Sequence, residues 1–266
     1  MQKSRIVIPM TTGPTDARPL QVRVADDIRA KIETGEYAPG EQLPTYDELA
    51  KKYMCSLAVV RKAADLLKQQ GLLIAVQGKG TFVRERARAR RHGTDRYSRS
   101  RWSAGTPILI AEAAEQGLKA NQEIRALETA PAPAAVAERL GIETGTPVHV
   151  RRRTTRIDGR PNQLADSYYE LALAEAVPAL KDEDTGPGGG FARIEEAGYR
   201  LARIREEIAL RMPTGPESFV LELPEGTPVA ELIRTAYDAQ GHPLEVMIAV
   251  IAGDMVTFNY DFPVPD

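Results

Sequence analysis

A lysine between two glycines, in the stretch "GLLIAVQGKGTFVRER" over residues 71–86, is a candidate for binding phosphate. Glycines let a backbone approach a phosphate closely, and Lys79 supplies positive charge. The P-loop of nucleotide-binding proteins requires a glycine, four residues and then Gly-Lys-Ser/Thr. Here six residues separate Gly71 from Gly78, and Gly80 stands where Ser or Thr is required. The stretch fails as a nucleotide site, which leaves a DNA-backbone contact or a solvated turn.

Other residue types that do chemistry are sparse. Cys55 is the single cysteine, which excludes an intrachain disulfide and agrees with a cytoplasmic protein. The three histidines, His92, His149 and His242, have no ligand-like spacing, so we expect neither a metal site nor a cofactor. No apolar run approaches the roughly 18 residues of a membrane span, and the N-terminus is unlike a signal peptide. We interpret residues 1–17 as a flexible arm.

Charge is distributed unevenly along the chain, although the net charge is only −2. Residues 1–102 hold 20 Lys+Arg and 11 Asp+Glu, a net +9. Residues 103–266 hold 15 and 26, a net −11. A basic N-terminal part joined to an acidic C-terminal part indicates that the first meets a polyanion and the second does not.

Three helices are predicted before the Lys79 stretch. The second begins at Thr45, whose hydroxyl forms a capping box with Glu48. Ser56 is placed to cap the third, over residues 57–70. Apolar residues at helical spacing mark the first helix: Leu20, Val24, Ile28 and Ile32. The inner face of the third helix carries Val60, Ala63, Ala64 and Leu67.

A hairpin follows the three helices. Residues 72–76 and 81–83 are typical of strands, and residues 77–80 of a turn. Three helices, the last two joined by a tight turn, and then a basic hairpin predict a winged helix-turn-helix over residues 18–84. In that arrangement the third helix enters the DNA major groove, and the hairpin reaches an adjacent groove or the phosphates.

The chain changes character after the hairpin. Residues 84–104 contain eight arginines and two acidic residues without a period, which predicts an extended or partly ordered linker over 85–104. This linker either lies over phosphates or is a solvated run of charge. A second domain follows over 105–266, and its segment "TPILIAEAA" has the appearance of a strand.

A weak internal repeat organises the second domain. Gly-Thr-Pro-Val occurs at 145–148 and at 226–229, each time followed by a strand-like run, a turn and another strand-like run. Two such units predict one antiparallel sheet with helices on one side, an α+β layer. Between them we expect a mobile glycine-rich loop at Gly186–Gly190, a helix, a break at Gly198 and another helical run.

The chain resembles the GntR superfamily of bacterial transcription regulators, in its HutC subfamily. The N-terminal resemblance rests on "GEYAPGEQLPTYDELAKKY", "VVRKAADLLKQQGLL" and "QGKGTFV", and the C-terminal one, to the UTRA domain, on "RIEEAGYRL", "PEGTPVAELIRTAYDAQGHPLEV" and "AGDMVTFNYDF". The resemblance implies a chorismate-lyase-like fold for the second domain, a homodimer, and control of DNA binding by a small-molecule effector.

The resemblance also points to DNA-contacting residues. Two arginines habitual in the family are replaced by Asp47 and Leu57, so the family's usual operator sequence is not expected. Arg61 could contact a guanine edge, and Leu57 and Ala58 a thymine methyl group. The expected DNA-binding residues are Thr45, Ser56, Leu57, Ala58, Arg61, Lys62, Gln77, Gly78, Lys79 and Gly80.

For the effector, Arg151 and Arg153 resemble positions that bind phosphorylated sugars in the family. Because strand side chains alternate, both should lie on one face and Arg152 on the other. Two guanidinium groups suit an anionic ligand, although a salt-bridge ladder is an equal alternative. Ala165 stands where many sugar-binding relatives carry a carboxylate. The expected effector-binding residues are Arg151, Arg153, Tyr168, Arg234, Glu245 and Tyr260.

The sequence therefore predicts a cytoplasmic transcription regulator, a repressor, that binds double-stranded DNA as a homodimer at a twofold-symmetric operator and responds to an effector. It predicts no enzyme activity, no cofactor and no membrane partner. Two alternatives stay open: a lyase-like enzyme that acts on a small carboxylate, and a DNA-binding plasmid or replication factor that does not switch.

Overall fold

The computed structural model describes residues 16–84, 89–93, 95–103 and 105–261. Its internal contacts divide the chain into two compact units, Met1–Glu85 and Arg86–Asp266. Most of the expected N-terminal arm lies outside the described residues, as do residues 85–88, 94 and 104 of the expected linker. Within the described residues, no helix combines the length and the apolar character needed to cross a bilayer.

The first unit has three helices and a two-stranded antiparallel hairpin. The elements are α1 (Leu20–Thr34), α2 (Tyr46–Lys52), α3 (Leu57–Gln69), β1 (Leu73–Val76) and β2 (Gly80–Val83). The expected inner face of α3 is confirmed, because Val60, Ala63, Ala64 and Leu67 are all buried. They pack in one core with Val24 and Ile28 of α1 and Leu49 of α2. This core fixes the angle at which α3 presents its outer face.

The ends of these helices follow the chemistry of their caps. At Gly35, φ is 82°, the left-handed conformation that ends α1. Thr45 accepts a hydrogen bond from the backbone N–H of Glu48, whose carboxylate accepts one from the N–H of Thr45, so the capping box is confirmed. Ser56 is the N-cap of α3, but its side chain makes no capping hydrogen bond. That part of the expectation is wrong, and the Ser56 hydroxyl is left exposed.

The second unit is built on one six-stranded antiparallel sheet. The described strands of the second unit, including two outside this sheet, are β3 (Ala89–His92), β4 (Ala120–Pro131), β5 (Pro147–Ile157), β6 (Arg160–Glu170), β7 (Leu201–Arg211), β8 (Val229–Asp238), β9 (Pro243–Ala252) and β10 (Val256–Asn259). The sheet order is β4-β5-β6-β9-β8-β7, while β3 and β10 form a separate parallel pair. The repeat read from the sequence corresponds to the hairpins β5-β6 and β8-β9, which lie side by side at the centre.

Helices cover both faces of this sheet. The α-helices are α4 (Arg99–Ser103), α5 (Ile108–Glu115), α6 (Ala134–Leu140), α7 (Leu171–Ala176), α8 (Gly189–Glu196) and α9 (Gly215–Val220), with 3-10 helices at Asp95–Tyr97 and Pro178–Lys181. On one face α6 packs against Val150, Tyr168 and Val246. On the other, α7 and α8 pack against Tyr169 and Ala236. The α+β class is confirmed, but the expectation of helices on one side is wrong.

Two element types differ from the sequence prediction. The segment at 201–211, expected to be helical, is strand β7, because pairing with β8 along its whole length outweighs its helix-favouring Arg, Glu and Ala residues. The segment expected as a strand around residue 110 is helix α5, which begins directly after Pro107. A short apolar run is ambiguous by periodicity, and its Ala-rich second half favours the helix.

The structure also differs from the expected linker. Residues 89–92 form β3, which pairs with β10, and α4 and the 3-10 helix follow it within the second unit. Two arginines there pair with carboxylates of the second unit: Arg99 with Glu195, and Arg101 with Glu115. With the boundary after Glu85, the first unit holds 13 Lys+Arg and 10 Asp+Glu, a net +3, and the second 22 and 27, a net −5. Much of the basic excess therefore belongs to the second unit.

Candidate nucleic-acid interface and ligand cavity

The outer face of α3 combines apolar and basic side chains. Residues 57, 58, 61 and 62 are all exposed, opposite the buried stripe that starts at Val60. Leu57 is 37% exposed at the first helical position, so the apolar contact it offers is available to a partner. Arg61 and Lys62 make no ion pair with any described residue, which leaves both cations free for an external anion.

The hairpin presents Lys79 at its tip. The Lys79 N–H donates to the Val76 carbonyl at 3.0 Å, and the Lys79 carbonyl accepts from Gln42 Nε2 at 2.8 Å. At Gly80 φ is +116°, and a Cβ there would lie 2.7 Å from Gln42 Nε2, so a glycine is required. The side chain of Lys79 is exposed, as are Gln77, Gly78 and Gly80. The hairpin therefore holds a cation at a fixed position without an intrachain partner among the described residues.

Every expected DNA-contacting residue is exposed, including Thr45 and Ser56 at the starts of α2 and α3. Asp47, in the first turn of α2, is exposed as well, so a carboxylate replaces the usual guanidinium on this surface. Its negative charge near the two helix starts disfavours a phosphate at that point.

A cavity of about 300 Å³ lies in the second unit, on the sheet face that carries α7 and α8. Five arginines line it: Arg91, Arg96, Arg151, Arg153 and Arg234. Three carboxylates also line it: Glu183, Asp184 and Glu245. Apolar side chains, among them Phe191, Met247 and those of residues 108–110, form the remainder of the wall. The cavity thus offers an excess of positive charge beside an apolar surface.

Glu245 is the most buried carboxylate of the cavity, with 2% of its surface exposed. Its Oε1 accepts from Tyr169 Oη at 2.8 Å and its Oε2 from Arg234 Nη2 at 2.5 Å. Burial alone would raise the pKa of Glu245, but Arg234 and Arg153 together hold it below the ordinary value. Arg234 lies over the Phe191 ring, 4.6 Å from its centroid. Glu245 is therefore an ionised carboxylate that is already fully paired.

Arg151 and Arg153 lie on the cavity face, while Arg152 lies on the opposite face and pairs with Glu128 and Asp166. Arg151 donates to the backbone carbonyls of Leu180, Asp182 and Glu183, so it fixes the segment that leads into Gly186–Gly190. Burial lowers the pKa of Arg151 from its ordinary value.

Arg153 has a different set of partners. It donates to Ser167 Oγ, and its Nε makes no hydrogen bond with any described residue. Its cross-strand neighbour on β6 is Ala165, which supplies no carboxylate. Arg153 thus keeps donor capacity for a ligand.

Both units match known domain families. Residues 20–83 match the bacterial regulatory proteins of the gntR family, and residues 115–257 match the UTRA domain. An HTH-type transcriptional regulator of Streptomyces coelicolor is 35% identical over 249 residues, which cover 91% of this chain and 92% of that protein. The chain belongs to the GntR family of bacterial transcription regulators. Its UTRA domain places it among the HutC-type members, as the sequence motifs predicted.

Two further likenesses agree with this GntR-family membership. The Escherichia coli repressor MngR of the mannosyl-D-glycerate transport/metabolism system is 27% identical over 230 residues, 86% of this chain and 89% of that protein. A crystal structure of a GntR-family transcriptional regulator superposes with a TM-score of 0.65 at 28% identity, covering 94% of this chain and 99% of that one. This GntR-family protein is a DNA-binding transcription regulator with an effector-binding UTRA domain.

One expected residue of the UTRA site is on the wrong face. Tyr168 packs against α6, whereas its neighbour Tyr169 lines the cavity. The register of β5 with β6 shifts between Thr155 and Arg156, where Asn162 is an extra residue. Because a one-residue shift exchanges the faces of a strand, the bulge turns Tyr169 rather than Tyr168 toward Arg151 and Arg153.

Tyr260 is also absent from the cavity lining and lies beside Gly93, where a Cβ would be 2.2 Å from its ring. The sequence reasoning missed Arg91 and Arg96, which line the cavity but were assigned to the linker. Gln163, on β6, was missed as well. The odd-numbered positions of β6 are a signal that could have found Gln163 and Tyr169, but only with the bulge known.

Proposed function

We propose that the protein is a cytoplasmic repressor that binds a twofold-symmetric operator as a homodimer and is controlled by a small anionic effector in the UTRA cavity. DNA binding is supported above all by the exposed surface of α3 and the hairpin. There Arg61, Lys62 and Lys79 have no carboxylate partner among the described residues. The relative MngR is a repressor, which supports repression rather than activation here.

On this surface we assign a different task to each residue. Arg61, the fifth residue of α3 and exposed, contacts a guanine edge in the major groove. Leu57 and Ala58 meet a thymine methyl group, since both are apolar and exposed beside Arg61. Lys79 and the glycine backbone around it meet phosphates of the adjacent groove. Thr45, Ser56, Lys62 and Gln77 complete the backbone contacts.

The effector assignment rests on the charge of the cavity. Five guanidinium groups face three carboxylates, and the Glu245 carboxylate is already paired with Arg234. Burying an unbalanced positive charge is costly, and a bound anion would offset that cost. Arg151, Arg153, Arg234 and Glu245 therefore remain the proposed effector-site residues, and Tyr169 takes the place expected for Tyr168.

A homodimer fits both the operator symmetry and the surface of the second unit. Two recognition helices about 34–36 Å apart would read two half-sites one helical turn apart. Large apolar side chains near the end of edge strand β7 and in α9 are exposed: Leu210 at 76%, Met212 at 60% and Phe219 at 84%. Exposed apolar clusters of this kind are typical of protein interfaces, and we assign this one to a second copy. Sedimentation equilibrium that returns a monomer at micromolar concentration would contradict the dimer.

Selection of bound duplexes from a random pool, followed by competition among operator variants, tests the DNA assignment. Arg61→Ala should weaken specific binding by about 1–3 kcal/mol and relax the preference at one base pair in each half-site. Arg23→Ala is the control, because it removes an exposed guanidinium from α1 and should leave the ranking of operator variants unchanged. If Arg61→Ala also leaves that ranking unchanged, Arg61 does not read a base.

A further inference from the structure

Arg91 has the environment of a ligand-binding cation rather than of a structural one. It lies on β3, directly beside Phe258 of β10 in the parallel pair, and only 5% of its surface is exposed. Its Nη1 donates to Gln163 Oε1 at 2.6 Å, and its Nε makes no hydrogen bond with any described residue. No carboxylate of the described residues forms an ion pair with Arg91. A buried guanidinium is thus held by a single neutral acceptor and by the face of the Phe258 ring, 5.8 Å from its centroid.

The neighbouring charges make this position more costly. Burial and the nearby Arg96 lower the pKa of Arg91 to about 10. Arg96 itself is paired with Glu112 at 3.1 Å, and both side chains are 3% exposed, so Glu112 is committed to Arg96. Arg91 therefore lacks the direct ion pair that its neighbour has, and the more distant Glu206 and Glu112 offset the cost of its burial only in part.

The five cavity arginines divide into two groups by their partners. Arg96 and Arg234 are paired with carboxylates, and Arg151 is occupied by three backbone carbonyls. Arg91 and Arg153 remain, each with one neutral acceptor and an Nε without a partner in the described part of the chain. Neither of these two forms a direct ion pair in the described part of the chain, although Arg153 lies near enough to Glu245 to lower the pKa of that carboxyl.

Arg91 and Arg153 approach the same stretch of β6 from different elements. Arg91 reaches Gln163, and Arg153 reaches Ser167, while Ala165 between them is the cross-strand neighbour of Arg153. All three β6 positions are odd-numbered and share the cavity face. Gln163 and Ser167 lie four residues apart on β6, so the two guanidinium groups contact separate points of this face.

We propose that Arg91 is an effector-binding residue that holds an oxyanion group of the effector, a carboxylate or a phosphate, in the cavity that Arg153 also lines. The apolar wall formed by residues 108–110 and Phe191 then receives the body of the ligand. This inference rests on the proposed function, which assigns the cavity to an effector. Guanidinium groups suit both oxyanions because their planar N–H donors match two oxygens at once.

β3, which carries Arg91, follows the DNA-binding unit closely in the chain, so a ligand bound to Arg91 can affect that unit. β2 of the DNA-binding unit ends at Val83, and β3 begins at Ala89. A ligand that is bound to Arg91 through its oxyanion and fills the rest of the cavity joins β3 to the central sheet, at the first described element after the DNA-binding unit. Such a ligand stabilises one arrangement of β3 through its differential affinity, which is what control of DNA binding requires.

The neighbouring arginine provides a matched control for the test. Arg90 is exposed and Arg91 is buried, so Arg90→Gln and Arg91→Gln remove the same charge from adjacent positions of one strand. The full chain would be titrated with sodium phosphate and with sodium benzoate, each compared with sodium chloride of equal ionic strength, by thermal unfolding and by calorimetry. Phosphate and benzoate separate the two sources of the oxyanion.

At least one of the two anions should bind the wild type and Arg90→Gln alike, and raise their unfolding temperature. Arg91→Gln should bind that anion at least about tenfold more weakly, since it removes a charge-assisted hydrogen bond. Unchanged affinity in Arg91→Gln overturns the proposal, and so does a wild type that binds neither anion.

Two further measurements keep the outcome decisive. If circular dichroism shows that Arg91→Gln is unfolded, Arg91→Lys is the variant that tests the proposal. It keeps the charge and loses the bidentate hydrogen bonding of a guanidinium group. Anion affinity in Arg91→Lys equal to that of the wild type would overturn the proposal. Gel shifts on the same preparations distinguish failure of the oxyanion site from failure of the proposed function. A protein that binds duplex DNA but neither anion refutes only the oxyanion site. A protein that binds no duplex refutes the proposed function.

Discussion

Replacing Glu245 with glutamine should destabilise the UTRA domain far more than any exposed carboxylate replacement. Glu245→Gln keeps the size and an acceptor for Tyr169, but it removes the charge that Arg234 Nη2 contacts at 2.5 Å. The Arg234 side chain is 11% exposed and its Nε has no partner among the described residues, so its charge would stay buried without compensation.

The magnitude follows from that burial. Removing one partner of a buried ion pair costs about 3–5 kcal/mol, mainly because the other charge remains. Contacts of Arg234 with the faces of Phe191 and Tyr97, at 4.6 and 5.7 Å, retain a part of the stabilisation. We therefore expect the lower end, a loss of about 3 kcal/mol in the free energy of unfolding of the second unit.

Urea unfolding of the full chain, followed by circular dichroism, measures this loss. The control is Glu128→Gln, since Glu128 pairs with Arg152 on the other face, is 45% exposed, and leaves Arg152 its second partner Asp166. That exposed pair should contribute about 0.2–1 kcal/mol. Removing both charges in Glu245→Gln/Arg234→Gln should recover a part of the loss. Equal losses in Glu245→Gln and Glu128→Gln would refute the argument that the first pair is buried and compensated.

Three further predictions concern the hairpin and an acid-sensitive cap. Lys79→Ala should weaken binding to all duplexes about equally and reduce the slope of log affinity against log salt by about one, whereas an unchanged slope removes Lys79 from the phosphate contacts. Gly80→Ala should destabilise the first unit by about 1–2 kcal/mol, and by more than Gly78→Ala, where no atom lies within 4 Å of the added Cβ; equal urea midpoints would contradict this. Hydrogen bonds from Arg211 lower the pKa of Glu217 from 4.5 to about 2, so its stabilisation is complete above pH 4.5 and is lost as the pH falls toward 2. Glu217→Gln should flatten the pH dependence of stability in that range, and an unaltered profile would show that the cap contributes nothing.

The first unit was predictable because local rules and tertiary packing agree there. Period-3.6 apolar residues predicted the buried stripe of α3, and Thr45 with Glu48 predicted a cap that forms as expected. The hairpin followed from Gly78 and Gly80, whose positive φ values only glycine adopts easily. Exposure of the expected DNA-contacting side chains also followed, since each lies opposite the apolar stripe or in a turn.

In the second unit the sequence predicted the central hairpins and missed what depends on long-range pairing. β7 has helix-favouring composition, and only its partner β8 makes it a strand. The bulge at Asn162 places Tyr169, and not Tyr168, in the cavity, and no local sequence pattern predicts that bulge. Arg91 was read as part of a charged linker because its partner strand β10 lies more than a hundred and fifty residues later in the chain.

The positive charge of the N-terminal part is distributed differently from what the sequence predicted. Positive charge near the N-terminus remains on α3 and the hairpin, but several arginines of the basic stretch neutralise carboxylates of the second unit or face its cavity. DNA affinity should therefore come from a small set of cations that includes Arg61, Lys62 and Lys79, and not from the arginine-rich segment. The likeness of the second unit to the chorismate lyase fold stays a prediction.

Binding of the full chain to a selected duplex, measured by fluorescence anisotropy over a series of salt concentrations, tests whether the protein recognises a DNA sequence through a small set of cations. The account predicts that the selected duplex is preferred over a scrambled one, and that log affinity falls linearly with log salt. Absence of binding to any duplex at the lowest salt concentration would contradict it.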